Sequence, residues 1–342
     1  MTRRERVRAA INHLDTDIIP YNIDCTNQEY EKVAEYLKDQ DFLSKIGNHI
    51  ESVYYSGIFT EDTNRPGYFT DDFGVVWNRN GADKDIGVID NYMLPEAELG
   101  EYNFPEIPEK ILNDGLELMM CNGKDTFKTC SLGFSMFERA WTLRGMENLL
   151  TDMLLEPEFV EELLNKICDF NMKIIDIGLK YDIDAFYFGD DWGQQSGLIM
   201  GPKLWRKFIK PQMARMYEKV RKAGKFVLQH SCGDIQAIFP DLIEIGLNVY
   251  QTFQPEIYDI KEIKRLYGKD LTFWGGISTQ RLLPFGTPEE VKNETMKIMK
   301  FMGRGGGYIA GPTHAVPGDV PTENMVALMD VFMNQEKWLR NS

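Results

Sequence analysis

From about residue 126 onward, short apolar runs alternate with longer amphipathic stretches, and this alternation most restricts what the chain can fold into. The runs are Phe127–Ser131, Ala185–Gly189, Phe226–Gln229, Val249–Phe253, Leu271–Trp274 and Gly307–Ala310. Each is short enough for a strand buried on both faces, and the stretches between them carry helical periodicity. Trp205, Ile209, Met213, Met216 and Val220 form one such stripe, interrupted by Pro211, which lacks an N–H and bends a helix. Thr287-Pro288-Glu289-Glu290 offers an N-cap, a proline in the first turn and a glutamate three residues on; Gly303 supplies the stop. A last helix is expected to begin near Asp319-Val320-Pro321. Strands separated by helices run parallel. Six of them, with room for two more in the N-terminal third (Ile18–Asp24 being one), predict a single (β/α)8 TIM barrel spanning residues 1–342. Residues from about 50 to 125, broken by Pro66, Pro95, Pro105 and Pro108, read as an irregular insertion or lid over the C-terminal face.

Gly303-Arg304-Gly305-Gly306-Gly307 resembles a phosphate loop, but it follows a helix and precedes a strand, the reverse of a dinucleotide fingerprint, and so reads as a tight turn. A formal charge of −15 argues against nucleic acid or an anionic membrane as partner. No stretch approaches the apolar length of a membrane span or a signal peptide. Five scattered cysteines fit a reducing cytoplasm better than a disulfide framework.

Polar residues follow the apolar runs with regularity: Asp190 and Asp191, His230 and Cys232, Gln254 and Glu256, then His314. In a barrel these positions share the C-terminal rim, where active sites are built. His230 and Cys232 are two residues apart at a strand end, so both side chains leave on one face. With His314 they make an N, S, N set for a divalent metal with a fourth position open, and zinc suits imidazole and thiolate. The same residues also read as a hydrogen-bonded core histidine beside a small buried thiol. Asp190 and Asp191 fit a catalytic proton carrier or an orienter of imidazole, and equally a helix cap. Trp192 is the aromatic candidate beside them. Asp72 and Trp77, in Asp71-Asp72-Phe73-Gly74-Val75-Val76-Trp77, and Gln254 are further candidates for substrate contact, although an ordinary hairpin accounts equally well for the first two.

Gly189-Asp-Asp-Trp-Gly-Gln-Gln195, His230-Ser-Cys-Gly-Asp-Ile235, Gly275-Gly-Ile-Ser-Thr-Gln280 and His314 through Asp319-Val-Pro-Thr-Glu-Asn324 carry a resemblance, over nearly the whole chain, to the uroporphyrinogen decarboxylase superfamily, and within it to the corrinoid-linked methyltransferase branch. Decarboxylases of that superfamily bind their polycarboxylated substrate with an arginine-rich N-terminal stretch. Here that region reads Ile18-Ile-Pro-Tyr-Asn-Ile-Asp24 and has no arginine. The methyltransferase branch pairs His-x-Cys with a distant cysteine near the last strand; His230 and Cys232 match, and His314 stands where that cysteine would be. The resemblance therefore implies zinc on His230, Cys232 and His314, a small-molecule methyl donor of the O-methyl type and a partner protein carrying a cobalamin-type corrinoid. Porphyrinogen decarboxylation, methyl exchange with a thiol or tetrahydrofolate, and a non-catalytic ligand-binding barrel are the competing expectations.

Overall fold

The structure is a computed structural model describing residues 1–81 and 87–339. Its centre is a seven-stranded parallel sheet: β1 (Ile50–Tyr55), β2 (Phe127–Leu132), β3 (Ala185–Gly189), β4 (Phe226–His230), β5 (Val249–Thr252), β6 (Thr272–Ile277) and β7 (Tyr308–Pro312), each paired with its neighbour in chain order. Six of these are the apolar runs of the sequence. The seventh, β1, begins the stretch expected to be irregular. It escaped notice because Glu51 and Ser52 interrupt its apolar residues.

Residues 20–25 lie between the two edge strands, but not as a regular strand. Ala310 N–H donates to Pro20 O at 2.8 Å, Asn22 N–H donates to Ala310 O at 2.9 Å, and His49 N–H donates to Tyr21 O at 3.0 Å. On the β1 side, Asn48 substitutes a side chain for a ladder, bonding both Ile23 N and Ile23 O. The expected strand Ile18–Asp24 is thus reduced to isolated bridges at Tyr21 and Cys25, in part because Pro20 has no N–H to offer.

Between β1 and helix Glu109–Cys121, short antiparallel strands (Thr60–Glu61, Tyr68–Thr70, Val76–Asn78, Val88–Ile89) form a separate sheet. Its anchor is a buried ion pair, Arg139 Nη1 to Asp71 Oδ2 at 2.9 Å. Asp71 also accepts from Phe73 N, Val75 N and Trp77 Nε1.

Helix Pro288–Met302 starts in the expected capping box: Thr287 Oγ1 accepts Glu290 N–H while Glu290 accepts Thr287 N–H. The stripe through Trp205 forms a helix with a π-turn at Trp205–Ile209, ahead of Pro211. The missing proline N–H and the ring's clash with the carbonyl four residues back account for the widened turn.

Side chains alternate across a strand, so positions two apart share the inner face. At the N-terminal end that face is apolar: Ile50, Phe127, Ala185, Leu228, Val249 and Ile309 pack with Val7 and Ile11 of helix Arg3–Ile11, which plugs the opening. Arg4 pins that helix to the buried Asp184 at 2.9 Å. Two residues further along, the inner positions become Ser52, Thr129, Tyr187, His230 and Gln251. The sheet interior therefore turns from apolar plug to polar chamber within one side-chain step.

Candidate active site

Above that step lies a cavity of about 770 Å³. Its floor is polar, with Asn22, Asn48, Ser52 and Ser131. One wall is aromatic: Trp77 meets Phe134 at 5.5 Å and Phe59 at 6.1 Å between ring centroids, and the Arg79 guanidinium lies over Phe59 at 4.7 Å. Its lining also holds Glu138, Asp191, His230 and His314.

His230 ends β4 and Cys232 follows in the next turn. Cys232 Sγ and His230 Nε2 are 3.6 Å apart, and one donor atom from each of His230, Cys232 and His314 lies within 4.8 Å of the others. His314, two residues beyond β7, is exposed only in the sense that it faces the chamber; its ring sits edge-on to His230 at 5.7 Å. Ligands of a four-coordinate zinc are spaced about 3–4 Å from one another, so this donor set can hold such an ion with small side-chain adjustment.

The turn carrying Cys232 is fixed by its backbone. Gly233 has φ +77°, and a Cβ there would collide with the Gly193 backbone, so the His-Ser-Cys-Gly and Gly-Asp-Asp-Trp-Gly turns cross where only glycine fits. Asp234 N–H donates to Gln194 O at 2.8 Å and Trp192 N–H to Ser231 Oγ at 3.0 Å, locking the two turns together.

The adjacent aspartates have different tasks. Asp191 lines the cavity, accepts Cys232 N–H at 2.8 Å and stands 3.4 Å from His230 Nε2. Burial alone would raise its carboxyl, but His230 and the Cys232 N–H outweigh burial and hold it down at about 2. Asp190 is fully buried and points away. Its carboxylate accepts Met136 N, Phe137 N and Glu138 N at 3.1, 2.9 and 2.8 Å, together with Trp192 Nε1. It caps helix Phe137–Arg144, so the catalytic expectation for Asp190 gives way to a capping role. Trp192 is corrected likewise: its ring is fully buried edge-on to Trp205 at 5.4 Å and does not reach the chamber.

Gln254 accepts Gly233 N–H at 3.2 Å and braces the cysteine turn rather than lining the cavity. Asp72 accepts Tyr55 Oη–H at 2.7 Å and Ile58 N–H at 3.2 Å, a loop bracket away from the chamber surface. Trp77 does line the cavity.

Several chamber residues were not anticipated. Glu138, in the first turn of its helix, faces the rim; burial first, then Asp191 and Asp190, push its carboxyl well above the usual range. Tyr187 donates to Gln251 Oε1 at 2.9 Å, and Gln251 in turn meets His230 Nδ1. Counting back or forward by two along β3 and β5 would have found both. Nothing in the sequence separates Glu138 from an ordinary acidic helix start. Burial pushes the Cys232 thiol up and the His314 imidazolium down, while His230 stays well above the ordinary range against the cost of burial, because Tyr187, Asp191 and Cys232 favour its charge.

The fold is a barrel-like α/β architecture whose chamber opens at the strand C-termini. The sequence model of the uroporphyrinogen decarboxylase (URO-D) family matches residues 131–334, more than half of the chain, and the chain belongs to that family. It is 22% identical over 191 residues to a methylated-thiol–coenzyme M methyltransferase of Methanosarcina mazei, covering 56% of this chain and 49% of that one. It is 24% identical over 187 residues to the uroporphyrinogen decarboxylase of Coxiella burnetii, covering 52% and 48%. The aligned part thus spans about half the length of these two relatives. A uroporphyrinogen decarboxylase of Chlorobaculum parvum is 22% identical over 264 residues, 70% of each chain. In three dimensions a methyltransferase from Methanosarcina mazei superposes with a TM-score of 0.74 at 16% identity, covering 98% of this chain and 99% of that one, which shows a shared fold. No described helix is long and apolar enough to cross a membrane.

Proposed function

We propose that this chain is a zinc-dependent methyltransferase that takes the methyl group of an O-methylated substrate and passes it to the reduced corrinoid of a separate protein. The observation that carries the reading is the convergence of His230, Cys232 and His314 donor atoms within 4.8 Å at the edge of the chamber. The chamber's charge favours this reading over decarboxylation. Its described lining includes one arginine, Arg79, against three carboxylates, Asp24, Glu138 and Asp191, a poor receptor for a polycarboxylated porphyrinogen.

His230, Cys232 and His314 would hold the ion, leaving one position for the substrate oxygen. Bound there, zinc supplies Lewis acidity, and two neutral imidazoles beside a single thiolate leave it more acidic than a sulfur-rich set would. Phe59 and Phe134, backed by the buried Trp77, offer flat apolar surface to the body of the substrate and exclude water from it. Asp191 keeps Cys232 in place through its N–H. Glu138, whose carboxyl burial and then Asp191 and Asp190 push well above the usual range, is the proton donor to the departing oxygen. The methyl–oxygen bond breaks, its electron pair stays with oxygen, and the methyl group bonds to the electron pair of the reduced cobalt.

Methyl transfer is tested by mixing the protein with a free reduced corrinoid and a panel of aromatic and aliphatic methyl ethers, following the corrinoid's absorbance. Zinc-dependent methylation with release of the free alcohol or phenol is the expected outcome. Conversion of a porphyrinogen without metal would contradict the reading.

A further inference from the structure

We propose that Gln251 is the positioning residue of the metal centre: its amide selects which nitrogen of His230 is offered to the ion and ties that ring to the strand end carrying His314. This rests on the metal reading above and deepens it.

Gln251 lies on β5 in direct register with His230 on β4, one inward step above the apolar plug. It is 7% exposed, so its polar atoms depend on protein partners. Its Nε2 donates to Thr313 O at 3.3 Å, the carbonyl immediately before His314. A carbonyl only accepts, which fixes the orientation of the amide and turns Oε1 toward His230 Nδ1 and the Tyr187 hydroxyl, the latter at 2.9 Å. An amide oxygen also only accepts, so Nδ1 of His230 must carry its proton. The nitrogen whose proton a metal would displace is thereby Nε2, which faces Cys232 Sγ at 3.6 Å. One side chain thus sets the tautomer of one imidazole and anchors the backbone beside the other. An outer hydrogen bond of this kind orients a ligand ring and raises its basicity. Because glutamine is neutral, it does so without adding negative charge to the ion's surroundings. Tyr187 meets His230 Nδ1 at 3.5 Å, too far to take over the amide's role.

Zinc affinity, measured by competition with a chromophoric chelator, tests the assignment without any turnover. Gln251→Leu is expected to weaken zinc binding by about 10- to 100-fold, the usual range for loss of such a partner. Gln251→Glu, which keeps an acceptor at Nδ1 but loses the donor to Thr313 O, is expected to retain most of the affinity that Gln251→Leu loses. Equal affinity in Gln251→Leu and wild type would overturn the inference alone. So would an equally large loss in Gln251→Glu, which would mean that the acceptor at His230 Nδ1 is not what holds the metal. If Gln251→Leu does not fold, Gln251→Met, which also lacks an oxygen acceptor for Nδ1, takes its place in the same comparison. Failure of the wild type to take up zinc would overturn the proposed function and this assignment together.

Discussion

Asp191 and Cys232 are joined by a 2.8 Å bond from the cysteine N–H to the carboxylate, and that carboxylate also faces His230 Nε2 at 3.4 Å. In the metal-free protein the His230 ring therefore has an anionic partner where an ion would otherwise sit. The folded pKa of Asp191, about 2, lies below its ordinary 3.8. A depressed carboxylate pKa contributes stability above the unfolded value that is lost as pH falls through the folded one. In metal-free protein the stability difference between wild type and Asp191→Asn should therefore fall as pH is lowered from about 4 toward about 2, read by urea unfolding across that range. A difference independent of pH would show that the pair contributes nothing to folding.

Uptake of zinc should release protons. Burial raises the Cys232 thiol and neighbouring charges hold His230 well above its usual range, so in metal-free protein both carry protons that coordination removes. An indicator dye in weakly buffered solution near pH 7 should report about one to two protons per zinc bound. Cys232→Ser should release fewer and bind more weakly.

Asp190→Ala should damage the fold rather than the metal site. Removing a buried carboxylate that caps three backbone N–H groups and an indole is expected to cost roughly 2–4 kcal/mol. Chemical denaturation measures the loss, and zinc content at saturating metal should stay that of the wild type.

Which aspartate does which task could not be decided from the sequence. Asp190 and Asp191 are adjacent, and a strand end sends successive side chains to opposite sides. One had to face the chamber and the other the helix, but the phase of β3 settles the choice only once the strand is in place. Trp192 was misjudged for the same reason, since its indole follows Asp190 into the core. The meeting of His230, Cys232 and His314 and six of the seven strands were legible, because histidine is scarce and the apolar runs are sharply bounded. β1 was hidden because its inward positions, Ser52 and Tyr54, line the chamber, so the strand does not look like core. The place of residues 20–25 was visible only as an apolar stretch; the asparagine side chains that stand in for a ladder have no sequence signature.

The aromatic wall depends on the buried Arg139–Asp71 pair, since Asp71 also holds the Trp77 indole at 3.2 Å. Arg139→Met would leave Asp71 uncompensated and should destabilise the protein by about 3–5 kcal/mol. Tryptophan fluorescence should shift as Trp77 loosens, and affinity for aromatic ligands should fall with it. Unchanged stability would mean that solvent reaches Asp71.

The central claim is that His230, Cys232 and His314 share one zinc ion, and elemental analysis of protein purified without added metal tests it most directly. Zinc near one equivalent per chain, falling in Cys232→Ser and in His314→Ala with the fold intact, is the predicted result. Protein that retains no zinc even after incubation with the metal, or that retains it equally in both variants, would contradict the account.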